Sequence, residues 1–206
     1  LKAAGIESGD KVLTAPFTFI ASSNSILYCD AEPVFADVKA DTFNIDPQQI
    51  RKKLEKNPEI KALLVIHLFG LPCDMEAIME LVQEYDLTLI EDCAQAHGAE
   101  FKEKRVGSFG DISVFSFYPS KNMTTSEGGM VLTDKKNILE QAHLIVDHGS
   151  SEKYNHQILG YNYRMTNIEA AIGLKQLQKL ENFNKIRIAN ARFFKEELKN
   201  IKEIEL

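Results

Sequence analysis

Six short apolar runs punctuate the chain: Lys11–Ala15 (KVLTA), Pro33–Val38 (PVFADV), Ala62–Phe69 (ALLVIHLF), Thr88–Cys93 (TLIEDC), Ile112–Phe117 (ISVFSF) and Gly129–Asp134 (GMVLTD). Runs this short, rich in Val, Ile and Phe, predict strands. Helical patterns lie between them. Asp46-Pro47 opens PQQIRKKLEK with an acidic cap and a proline at the first helical position, and Asp74 opens MEAIMELVQEY. Strands alternating with helices predict an α/β fold with a mostly parallel sheet covered by helices. From Thr166 the period changes. Thr166 and Glu169 form a T-x-x-E capping box. Ile168, Ile172, Leu177, Leu180, Phe183, Ile186, Ala189, Phe193 and Leu198 then recur near the helical period. That predicts one long helix, or two joined ones, leaving the sheet with an unpartnered apolar face.

Composition adds little. With 206 residues, 44% hydrophobic and 26% charged, the chain is an ordinary globular one with enough length for one sizeable core. A net charge of -6 argues against a nucleic-acid surface. Cys29, Cys73 and Cys93 have no paired spacing, which suggests a reducing, cytoplasmic setting. No apolar run approaches a membrane span, and no signal peptide is visible. LKAAGIESGD reads as the end of a helix running into a strand, and FFKEELKNIKEIEL stops at a helical pattern. The chain is therefore expected to be a fragment of a longer one.

Ligands in parallel sheets sit outside the carboxyl ends of strands. Glu91 and Asp92 stand at such an end, and adjacent strand residues face opposite sides, so one of the two is expected to be buried with a partner. Lys121 follows a later strand, in a turn of Pro, Ser, Asn, Thr and Gly. A lysine there can form a Schiff base with a carbonyl. A solvated turn lysine and a helix-capping carboxylate are the plainer readings. Cys93 and His97 could pair as thiol and imidazole, but Cys93 lies on an apolar strand. His67 reads as an interior, hydrogen-bonded histidine, and no zinc-type spacing is present.

Taken together, GDKVLTAPFTFIASSNSILYCDAEPVFADV, NIDP, HLFGLPCDM, IEDCAQAHGA, GSFGDISVFSFYPSKNMTTSEGGMVLT and GYNYRM resemble the DegT/DnrJ/EryC1/StrS family of sugar-nucleotide aminotransferases. The resemblance runs from Gly9 to about Arg187. It implies the three-layer aspartate aminotransferase fold and pyridoxal 5'-phosphate as cofactor. Residues 1–165 would be the central part of the large domain, and 166–206 a helical segment leading to a C-terminal domain. The family's upstream small-residue and threonine phosphate contact would precede Leu1. By resemblance, Lys121 is the Schiff-base lysine, Asp92 the acid on the pyridine nitrogen and Gln95 a neighbour of the phenolic oxygen. Phe19 stacks on the ring and Ser116 meets the phosphate. Asn162 reaches the phosphate of a partner subunit, and Arg164 shares that loop on the substrate side. The expected partners are a nucleotide-linked keto-sugar and an amino-acid donor, glutamate, in a homodimer with shared active sites.

Phe19 as plain core, Ser116 as a strand hydroxyl and Arg164 in a surface ion pair are the alternatives that the residues themselves leave open. TTSEGG resembles members that act at sugar C4 rather than those with GAYGDGG, which act at C3. Two other functions stay in view. Dehydratases of the family replace the lysine by histidine, which Lys121 opposes, and a catalytically silent binding protein would not need Lys121, Asp92 and Ser116 together.

Overall fold

The computed structural model describes residues 1–203. After a short 3-10 turn at Lys2–Ala4, the order is β1 (Lys11–Thr14), α1 (Ala21–Leu27), β2 (Glu32–Phe35), α2 (Pro47–Lys56), β3 (Ile60–Ile66), α3 (Met75–Glu84) and β4 (Thr88–Asp92). A small hairpin, β5 (Glu100–Phe101) and β6 (Lys104–Arg105), precedes β7 (Ile112–Ser116), β8 (Gly129–Leu132) and α4 (Lys136–Val146). A second hairpin, β9 (Ser150–Glu152) and β10 (Asn155–His156), leads to α5 (Asn167–Leu198).

The six main strands form one sheet in the order β2-β1-β3-β4-β7-β8. All neighbours are parallel except β7 and β8, which pair antiparallel. The centre is the most apolar part: six of the seven residues of β3 are buried. Each fully buried Val, Leu or Ile contributes roughly 1.5–3 kcal/mol, so Leu13, Leu63 and Leu89 are major terms.

Two layers of helix cover the sheet. Asp46 caps α2 by accepting from Gln48 N, Pro47 starts it, and Ile50 and Leu54 point inward one turn apart. Asp74 caps α3, which buries Met75, Ile78 and Leu81. The two helices meet through a two-pronged Arg51–Glu84 pair at 2.7 Å per bond. The step from β1 to β2 runs opposite to the steps toward β3 and β4. Right-handed crossovers therefore place α1 on the other face.

Several elements differ from the sequence reading. Predicted strand Pro33–Val38 ends at Phe35, and Val38 makes only a lone bridge to Ile45. Ala62–Phe69 shifts to Ile60–Ile66, because the chain turns at His67 into a 3-10 turn, Leu68–Gly70, where Phe69 has φ 55°. Gly129–Asp134 stops at Leu132. α1 and α4 are additional helices. The capping box is present: Thr166 Oγ1 accepts from Glu169 N, and Thr166 N donates to Glu169 Oε2. α5 is one 32-residue helix. Of its apolar residues Leu180 is buried, while Ile168, Ile172, Leu177, Ile186 and Phe193 are exposed. Residues 204–206, the end of the predicted helical segment, lie outside the described residues. No described helix is long and apolar enough to cross a membrane.

Candidate active site

The carboxyl ends of β4 and β7 carry Asp92 and Ser116 on adjacent parallel strands. Both line a cleft of about 700 Å³ on the sheet face that holds α1 and α4. Its floor is apolar, built from Leu64, Ile90, Ile112 and Val114, the alternate residues that share this face with Asp92. One Asp92 oxygen accepts from Ser22 Oγ at 2.9 Å and the other from Ala94 N at 3.0 Å. The carboxylate is thus fixed in direction while keeping acceptor capacity. Ser22 was missed by sequence reasoning. Its only signal is the polar run ASSNS, which gives no apolar stripe.

Glu91 faces the opposite side and is 0% exposed. Its Oε1 accepts from Phe109 N and Gly110 N, and its Oε2 from Gly107 N, each at 2.7 Å. His67 Nε2 lies 3.1 Å from Oε2. Cys73 N donates to His67 Nδ1, so Nε2 carries the proton and donates to Glu91. Burial alone would push the Glu91 carboxyl up, but His67 and the amides of Gly110 and Gly107 hold it below the ordinary carboxylate range. His67, Glu91 and Cys93 have ligand atoms within 4.8 Å of one another, a cluster that sequence spacing does not show. The Glu91 carboxylate oxygens and both His67 ring nitrogens are engaged with each other and with backbone N–H groups, so the cluster is a structural anchor. Burial pushes the Cys93 thiol up, and His97 Nε2 bonds to Ser116 O at 2.8 Å, so no reactive thiol-imidazole pair forms.

The other expected site residues are more scattered. Gln95 Oε1 accepts from Phe69 N at 2.6 Å, leaving its NH2 to donate elsewhere. Phe19 is 70% exposed. It is not core, and its carbonyl accepts from the N–H of Ser22, the serine that holds Asp92. Ser116 Oγ accepts from Tyr118 N at 3.3 Å. Lys121 is half-buried in the turn between β7 and β8, and its charge helps burial to lower the pKa of His97. Lys121, Gln95 and Phe19 do not line the cleft with Asp92 and Ser116. In GYNYRM, Tyr161 and Tyr163 stack at 4.8 Å and line the cleft. Asn162 and Arg164 lie outside it and are exposed. Arg164 bonds Asn162 Oδ1 at 3.4 Å and pairs with Asp147 at 3.1 Å.

The same architecture is found in solved aminotransferases. The aminotransferase from Psychrobacter cryohalolentis matches with a TM-score of 0.92 at 39% identity, over 97% of this chain and 53% of that one. NtdA from Bacillus subtilis, with bound cofactor PMP, matches with a TM-score of 0.88 at 31% identity, over 100% of this chain and 48% of that one. GDP-perosamine synthase of Escherichia coli O157:H7 is 42% identical over 206 residues, which are 99% of this chain and 56% of that protein. The fold is therefore that of the aminotransferase class. The model of the DegT/DnrJ/EryC1/StrS aminotransferase family matches residues 1–206, and the chain belongs to that family. It spans about half the length of the curated relatives it matches.

Proposed function

We propose that the chain is the central part of a pyridoxal-phosphate-dependent aminotransferase. It would transfer the amino group of an amino acid, glutamate, to the carbonyl of a nucleotide-linked keto-sugar of the 4-keto-6-deoxy type. The observation that carries this is the placement of Asp92 and Ser116 on neighbouring strand ends, with Lys121 in the turn that follows the second. The name of the perosamine synthase, with its GDP-linked product, supports a nucleotide-sugar substrate.

The donor set fits the cofactor. Asp92 is a carboxylate fixed by two donors, and so is suited to hold a protonated pyridine nitrogen. Phe19 offers an exposed flat apolar face. Ser116 and the Gln95 amide supply neutral donors. Bound there, pyridoxal phosphate supplies an electron sink. Lys121 would hold its aldehyde covalently and, once displaced by the incoming amine, move a proton at the substrate carbon. Asp92 would keep the ring nitrogen protonated throughout. The exchange balances without an outside oxidant, since the donor carbon becomes a ketone as the sugar ketone becomes an amine.

Residues 1–165 would form the cofactor-binding core, and 166–206 would lead onward to substrate closure. The direct test loads the intact protein with pyridoxal phosphate, reduces it with borohydride and maps the modified peptide. Label on Lys121 is expected; label on another lysine, or none, overturns the reading. Screening nucleotide-linked 3-keto and 4-keto sugars with glutamate then identifies the acceptor.

A further inference from the structure

α5 touches the Lys121 turn along one stripe. A Cβ on Gly173 would come within 3.0 Å of Thr125 Cγ2. Leu180 packs with Phe117 and Met123. Asn184 sits one turn further on, and its side chain makes two hydrogen bonds. Its Nδ2 donates to His97 O at 2.8 Å, and its Oδ1 accepts from Asn122 Nδ2 at 3.1 Å. Positions 173, 180 and 184 are spaced by about two turns and then one, and so share a face.

The orientation of the Asn184 amide is forced. A carbonyl can only accept, so Nδ2 must face His97 O, and Oδ1 is left for Asn122. His97 extends the chain, because its Nε2 must likewise donate to Ser116 O at 2.8 Å. Its Nδ1 is buried without a hydrogen-bond partner among the described residues. Gly98 permits the approach. It has φ 79°, and a Cβ there would lie 3.1 Å from Asn184 Nδ2. A single helix side chain thus joins the loop leaving β4, where Asp92 stands, to the residue beside Lys121.

We propose that Asn184 is a positioning residue, which sets the placement of Lys121 relative to Asp92 by clamping the turn that carries Lys121 to the loop that follows Asp92 on β4. This role rests on the aminotransferase reading above. Asn184 would not touch substrate or cofactor. It would act through Asn122 and the His97 carbonyl.

The test uses the intact protein and four variants: Asn184→Ala, Asn184→Asp, Asn122→Ala and, as a control, Lys185→Ala on the exposed side of α5. Alanine suits a helix, so α5 is kept. In the cofactor-free protein, amide exchange over residues 95–99 and 117–125 should speed up about tenfold in Asn184→Ala, the loss expected from hydrogen bonds of ordinary strength. Exchange in β1, β3 and β4 should not change. In the loaded protein, the pH midpoint of the absorbance change of lysine-bound cofactor should shift in Asn184→Ala. It should shift less in Asn122→Ala, which keeps the bond to His97 O, at least as far in Asn184→Asp, which sets a carboxylate against the His97 carbonyl, and not at all in Lys185→Ala. A purely structural residue would leave that midpoint in place. Cofactor on Lys121 with an unmoved midpoint, or exchange that is unchanged or rises uniformly across the sheet, overturns the clamp alone. Cofactor on a different lysine overturns the aminotransferase reading and this role with it.

Discussion

Adjacent carboxylates at the end of β4 have opposite surroundings. Glu91 is enclosed by three backbone amides and a histidine, whereas Asp92 opens on a cleft. Glu91→Gln would turn an NH2 toward Gly107 N and His67 Nε2 or toward Phe109 N and Gly110 N, donors in either case. It should cost about 3 kcal/mol at neutral pH, read by urea unfolding. The folded-state pKa of Glu91 lies below its ordinary value of 4.5. Its contribution is therefore complete above that value and lost as pH falls through the folded pKa. Wild-type stability should drop in that window, and the curve of Glu91→Gln should be flatter there. Asp92→Asn has the opposite profile. The amide oxygen can still accept from Ser22 or Ala94, so the melting temperature should hardly move. Turnover should fall by roughly a hundredfold, because a neutral amide cannot stabilise a protonated ring nitrogen. An unchanged rate would remove the role assigned to Asp92. The sequence gives the opposed faces of these two residues, since strand alternation requires it. It does not say which is buried, because that depends on Gly107–Gly110 folding back onto β4. Ser22 and Asn184 were illegible for a similar reason: each acts on a partner 70 or more positions away.

Continuous apolar runs made the parallel strands readable, and Asp46, Asp74 and Thr166 made three helix starts readable through local capping. α1 was not, because ASSNSIL has no amphipathic stripe of its own. The direction of β8 was also hidden, since hydrophobicity carries no sign of orientation. The segment after α4 depends on close backbone crossing. Gly149 has φ 72°, and a side chain there would collide with the Ile158 carbonyl. Around this crossing, His148 N donates to Tyr161 O at 2.8 Å, and Tyr161 N donates to Ile145 O at 2.7 Å. Gly149→Ala should therefore destabilise by about 2 kcal/mol and loosen residues 147–163 before the sheet. Exchange confined to that segment would verify it, and a change of melting temperature under 1 °C would refute it.

Across the whole molecule, β8 exposes Met130, Val131 and Leu132, and α5 exposes Ile168, Leu174, Leu177 and Phe193. Apolar surface on this scale suits an interface, and a homodimer with shared sites is the proposed state. If Asn162 serves a neighbour's cofactor, inactive Lys121→Ala and Asn162→Ala chains should restore activity when mixed under subunit exchange. Activity no greater than the separate sum would place Asn162 in its own chain. The strand order has a consequence for how the molecule is made. After β2, each new strand of the sheet joins the current edge: β3 beside β1, then β4, β7 and β8. A chain emerging from its N-terminal end can extend one growing edge without opening pairs already formed. Asp92 is laid down first, Ser116 on the next strand, and the turn with Lys121 is closed only when β8 returns against β7. α5 follows β8 in the chain, so under the clamp proposed above Asn184 can hold the Lys121 turn only after β8 has paired with β7.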